Sequence, residues 1–121
     1  MAEAPHEKLR RRAQEARLRG LAVAAQGTRE RAELKAKVAN AEVAFLDMIE
    51  GNAGHEVERV FKSGRLDPML RAIPHIGPVA VDEICNELGI DKEVHVAKLS
   101  HATRLQISQL VEAVLDGRGL M

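Results

Sequence analysis

Three times in the second half of this chain, apolar side chains return at i, i+3, i+4 and i+7. The first set is Leu66, Met69, Leu70 and Ile73, the second Val81, Ile84, Cys85 and Leu88, the third Ile107, Leu110, Val111 and Val114. That spacing puts each set on one stripe of an α-helix, and a stripe of this kind is stable only when it packs against another. No segment alternates apolar and polar residues in the manner of a strand, and no internal repeat is present. The expected fold is therefore all-α: a long N-terminal helix followed by a compact bundle of short helices.

Local punctuation divides the bundle. Asn40 reads as an N-cap for a helix carrying Phe45, Leu46, Met48 and Ile49, and Gly51 ends it. A short helix over 55–62 offers Val57, Val60 and Phe61, with Gly64 after it. Asp67 before Pro68 reads as an N-cap followed by proline at the first helical position. Pro74 closes that helix, Pro78 opens the next, Gly89 caps it, and Ser100 is the expected N-cap of the last. The stretch "DGRGLM" reads as a frayed tail. We assign 1–27 to a basic, partly disordered arm or extended helix, 28–116 to the helical helix–two-turn–helix domain and 117–121 to the tail.

Composition narrows the function. The single Cys85 leaves no internal disulfide and fits a reducing compartment. No apolar run approaches the 18 or so residues of a membrane span, and no apolar segment follows the N-terminal charges, so no secretory signal is expected. There are two Phe and no Tyr or Trp, which argues against recognition by aromatic stacking. The five His neither pair at i, i+4 nor group with the cysteine, and no phosphate-binding glycine loop of the nucleotide-binding kinds occurs. Neither an enzyme nor a cofactor is expected. Cys85 reads as a buried structural thiol, and Asp82 and Glu83 as a solvated face. The net charge is zero, yet residues 1–40 carry ten Lys/Arg against five Asp/Glu, and the remainder eight against thirteen. Such asymmetry describes a basic arm on a more acidic body and suggests a polyanion partner.

One local feature carries a mechanism. In "AIPHIGPVAV", residues 72–81, Pro, Gly and Pro fall within five positions between two helices. Gly77 lets the backbone approach a neighbour, and the helix that starts at Pro78 presents unbonded amides and its positive dipole end, which favour an anion. A phosphate clamp and a plain helix–helix corner are both consistent with these residues alone.

The order of features supplies a resemblance. "RERAELKAKV", "LDPMLRAIPHIGPVAVDEICNELGI" and "KLSHATRLQISQLVEAV", in that order between about Arg29 and Val114, make the chain similar to the actinobacterial integration host factor family of small nucleoid-associated proteins. The resemblance implies a helix–two-turn–helix body behind a long N-terminal helix. It also implies duplex DNA bound largely through phosphates and bent, in the cytoplasmic nucleoid, with a site-specific recombinase as a further partner. On this basis His75, Ile76, Gly77 and Val79 belong to the phosphate-binding turn, and Ile76, Gly77 and Val79 offer backbone contacts. Arg29, Arg31, Lys35 and Lys37 supply cations from the first helix, Lys92 and Lys98 from the connector, and Arg104 from the last helix. The family's lysines after the turn glycine are replaced by Pro78 and by Val79-Ala80, and Val94, His95 and Ala97 stand where its connector arginines cluster. These departures fit a divergent or phage-encoded member and place more of the attraction on the first helix. If Lys35, Lys37, Lys98 and Arg104 neutralise four phosphates, log K falls with log salt at a slope of about −3.6. The alternative reading is a protein-interaction module of the same fold that holds a recombinase or a second copy of itself. A role on structured RNA ranks third.

Overall fold

A computed structural model describes residues 5–119. It contains six α-helices: α1 (Pro5–Ala39), α2 (Phe45–Glu50), α3 (His55–Lys62), α4 (Leu66–Arg71), α5 (Pro78–Leu88) and α6 (His101–Gly119), with one 3-10 turn at Val96–Lys98 before α6. No β-strand occurs among the described residues; Arg65 and His95 form a lone antiparallel bridge.

α1 is continuous over 35 residues, through Gly20 and Gly27. Its composition of Ala, Arg, Glu, Lys and Leu has low helical cost. Only its C-terminal third reaches the core, through Leu34 and Val38. From His6 to Gln26 every residue is exposed. The helix ends in a left-handed turn at Ala41 (φ 60°), where the Glu42 amide donates to Lys37 O at 2.8 Å and that of Ala41 to Val38 O at 3.2 Å. These bonds satisfy the last carbonyls of the helix. Asn40 therefore closes α1, and the residue flanking α2 at its start is Ala44.

The core is shared by all six helices. Its fully buried side chains include Met48 and Ile49 of α2, Phe61 of α3, Leu66, Met69 and Leu70 of α4, Val81 and Ile84 of α5, and Ile107 and Val111 of α6. α2 packs on α6, α3 on α1, and α5 on both α4 and α6. Gly51 (φ 87°) and Gly89 (φ 66°) end α2 and α5 in the left-handed conformation that glycine adopts without strain. Ser100 caps α6, its Oγ accepting the Thr103 amide at 3.1 Å.

Two further boundaries differ from the sequence reading. α4 begins at Leu66, so Asp67 is helical and not the N-cap. The amides of Leu66 and Asp67 donate to Val94 O and Lys92 O, both at 2.9 Å. The connector thus supplies the acceptors that a capping side chain would otherwise offer, and the Asp67 carboxylate pairs instead with Arg71 at 3.2 Å. α6 continues through Asp116 and Gly117 to Gly119, while Leu120 and Met121 lie outside the described residues. Pro78 does open α5, as its fixed φ and missing N–H favour. α4, the turns at 72–77 and α5 make up the helix–two-turn–helix unit.

Candidate nucleic-acid interface

α1 presents two different edges to the body. On the wheel, Arg31 and Lys35 lie on one side of the buried Leu34, and Glu30, Glu33 and Lys37 on the other. Arg31 and Lys35 face the α3–α4 corner. There they border a hollow of about 350 Å³ with Ser63, Gly64, Arg65, Pro68, Met69 and His95. An adjoining hollow of about 420 Å³ shares Lys35 and Pro68 and adds Ala36, Ala39, Arg71 and Ala72. Together they form one furrow beside α4. It is lined by Arg31, Lys35, Arg65, Arg71 and His95, and among the described residues by no carboxylate.

The furrow depends on a small residue at 64. A Cβ there would stand 2.8 Å from the Met69 methyl and 3.2 Å from Cδ of Arg31. Two of the furrow's arginines are restrained from behind, Arg65 by Glu93 at 3.4 Å and Arg71 by Asp67 at 3.2 Å. Neither carboxylate is among the furrow's lining residues; the Arg65–Glu93 pair is exposed and weak enough to yield to a stronger anion, while Asp67 is buried. Arg31 makes only long contacts, 3.5 Å to Ser63 and 3.4 Å to Thr28.

The furrow's last residue, Ala72, leads directly into the turn. His75 is exposed with φ 71°, a left-handed conformation in which His is enriched among non-glycine residues. Gly77 is extended, and a Cβ on it would meet nothing within 4 Å. The first intrahelical bond of α5 runs from the Val81 amide to Gly77 O at 3.1 Å. The amides of Gly77, Val79 and Ala80 accordingly carry no backbone partner among the described residues.

Several of the residues proposed from sequence sit elsewhere. Arg104 is buried, at 5% exposure. Its Nε donates to Ile49 O at 2.7 Å and one terminal nitrogen to Met48 O at 2.9 Å. Both terminal nitrogens bond the Glu58 carboxylate, and the guanidinium lies 5.2 Å from the Phe61 ring centre. With its hydrogen-bonding groups engaged inside the protein, Arg104 joins α6 to α2 and α3 and cannot serve as a surface phosphate contact. Ile76 is buried and its amide is taken by Ile73 O at 3.1 Å, so it drops out of the backbone contacts. Lys37 lies in a separate hollow among Glu30, Glu33 and Glu56. Arg29 is on the outward face of α1, Lys92 pairs with Asp82 at 3.4 Å, and Lys98 is exposed on the connector. Of the four α1 cations, then, only Arg31 and Lys35 share the furrow. Arg65 and Arg71, which the sequence reading omitted, complete it.

Other chemistry is sparse. Among the described residues no three His, Cys, Asp or Glu side chains converge to hold a metal, and no helix is long and apolar enough to cross a membrane. Cys85 is buried; desolvation first, then the carboxylates of Asp67 and Asp82, push its thiol above the ordinary cysteine value. Such a thiol is a poor nucleophile.

Fold and furrow together define a small helical protein with a basic surface beside α4. No protein-family model matches the chain, and no curated protein matches it. Among solved structures it is similar to sIHF bound to an 8-bp palindromic DNA, at 25% identity and a TM-score of 0.57, over 75% of this chain and 96% of that one. The two chains share an integration-host-factor-type fold.

Proposed function

We propose that the protein is a non-enzymatic, architectural binder of duplex DNA that holds the phosphate backbone and bends it with little regard to sequence. The observation that carries this reading is the furrow: four cationic side chains from α1 and the two ends of α4 meet there, with no carboxylate among the described lining residues. The likeness to a protein solved on DNA supports it. Lys35 and Arg31 supply charge from α1, Arg65 and Arg71 from the two ends of α4, and the amides of Gly77 and Val79 add neutral donors from the turn that follows.

Arginine and lysine contacts to phosphate set position and carry no sequence information. Preference among sites then comes from how easily each sequence deforms. Four neutralised phosphates give a salt slope of about −3.6, so a fourfold rise in salt weakens binding on the order of 100-fold. Mobility shift on random duplexes across a salt series tests the reading. Retardation that is unaffected by salt, or absent at low salt, removes it. A basic furrow on a chain of zero net charge also favours local attachment over general attraction to polyanions.

A further inference from the structure

The first 22 described residues of α1, Pro5–Gln26, extend about 33 Å at the helical rise, and from His6 to Gln26 every one is exposed. An isolated helix of this length is marginal in water. This one also leaves Leu18 and Leu21 exposed at 58% and 60%. Leu18, Leu21, Ala22 and Ala25 fall at i, i+3, i+4 and i+7, which makes a narrow apolar stripe. Cations flank it on both sides, Arg10 and Arg17 along one, Lys8, Arg12 and Arg19 along the other. Elsewhere, α5 and α6 leave a shallow groove of about 270 Å³ between Glu83, Ile84 and Glu87 on one wall and Leu110, Ala113 and Val114 on the other. Its floor is apolar, and its rim carries two carboxylates that enter no ion pair among the described residues.

We propose that this groove receives the α1 arm of a second copy of the chain. The arm's leucine stripe would cover the apolar floor, and its flanking arginines would meet Glu83 and Glu87. Charge and polarity match along both elements, an arm carrying six Lys/Arg against two Asp/Glu and a groove edged by Glu83 and Glu87. An arm cannot fold back into its own groove, because α1 runs without a break from Arg10 to the body-bound Leu34 and Val38. The contact joins two different surfaces, so it is head-to-tail, and unless it closes into a ring it adds copy to copy in an open chain. It needs neither the furrow nor DNA.

Sedimentation of the full chain without DNA tests the proposal. The parent is expected to associate beyond its 13.3 kDa monomer mass as concentration rises, and less so at high salt. Leu18→Glu with Leu21→Glu disables the arm; Glu83→Lys with Glu87→Lys disables the groove. All four positions are exposed, and circular dichroism checks that each variant is folded. Each variant alone is expected to remain monomeric. An equal mixture should form a one-to-one complex, because one copy keeps a working groove and the other a working arm. A parent that stays monomeric at every concentration overturns the proposal. So does a pair of variants that associate like the parent, or a mixture that does not assemble.

Discussion

Arg104 of α6 and Glu58 of α3 form an ion pair inside the protein, and Arg104 alone spans three helices. Its remaining donors are taken by the carbonyls of Met48 and Ile49 at the end of α2. Removing the arginine strands a half-buried carboxylate and two carbonyls that α2 cannot satisfy for itself. Breaking one partner out of such a pair costs about 3 kcal/mol. Arg104→Ala is therefore expected to lower the urea midpoint by that equivalent, with the slope of the transition unchanged. DNA affinity of the folded fraction should stay at the parent value. A stable Arg104→Ala protein that has lost DNA binding would return this residue to the surface.

The same pair gives the protein an acid limb. Hydrogen bonding to Arg104 holds the Glu58 carboxyl below its ordinary value, near 4.3 in an unfolded chain. A lowered folded value means the native state binds the proton more weakly than the unfolded state. The pair's contribution is then complete above about pH 4.3 and is lost as the pH falls through the lowered folded value. Between about pH 6 and about pH 3, stability should fall less steeply in Glu58→Gln than in the parent. Equal slopes would show that Glu58 titrates alike folded and unfolded.

Much of this fold is legible locally. Pro78, Gly89 and Ser100 mark helix ends because each acts through its own backbone or its nearest amides. The three apolar stripes define the buried faces of α4, α5 and α6. The start of α4 is not legible in this way, since its first amides are bonded by Val94 and Lys92, far along the chain. The furrow is hidden for the same reason: Lys35, Arg65 and His95 meet only after three turns of the chain have been placed. Arg104 is different. It stands at i, i+3 and i+7 with Ile107 and Val111, both fully buried. Its place on that stripe was readable, and it argued for an internal arginine over a phosphate contact.

Arg31 and Lys35 supply two of the furrow's four charges, and neither has a close ion partner. Reversing both, as Arg31→Glu with Lys35→Glu, is expected to cut DNA affinity and reduce the salt slope from about −3.6 to about −1.8. Helicity should not change, because neither side chain is in the core. Arg29→Glu with Lys37→Glu makes the same change in net charge on the opposite edge and outer face of α1. It should leave the slope nearly intact. Two equal slopes would mean that α1 acts through bulk charge and that the furrow has no special part.

Gly77 separates the role of the turn from its structure. Its φ is −102° and a Cβ would point into open space, so neither conformation nor packing demands glycine. Gly77→Leu should then unfold at the parent's temperature to within about 0.5 kcal/mol, the range of a surface change. If a phosphate lies against the amides of Gly77 and Val79, the new side chain holds it away. Each lost charge-assisted hydrogen bond costs about 1.5–3 kcal/mol, or upwards of tenfold in affinity. Fluorescence anisotropy with a labelled random duplex reads this directly, and the salt slope should stay constant because no cation has been removed. Binding at the parent's strength would assign the turn to the helix–helix corner alone.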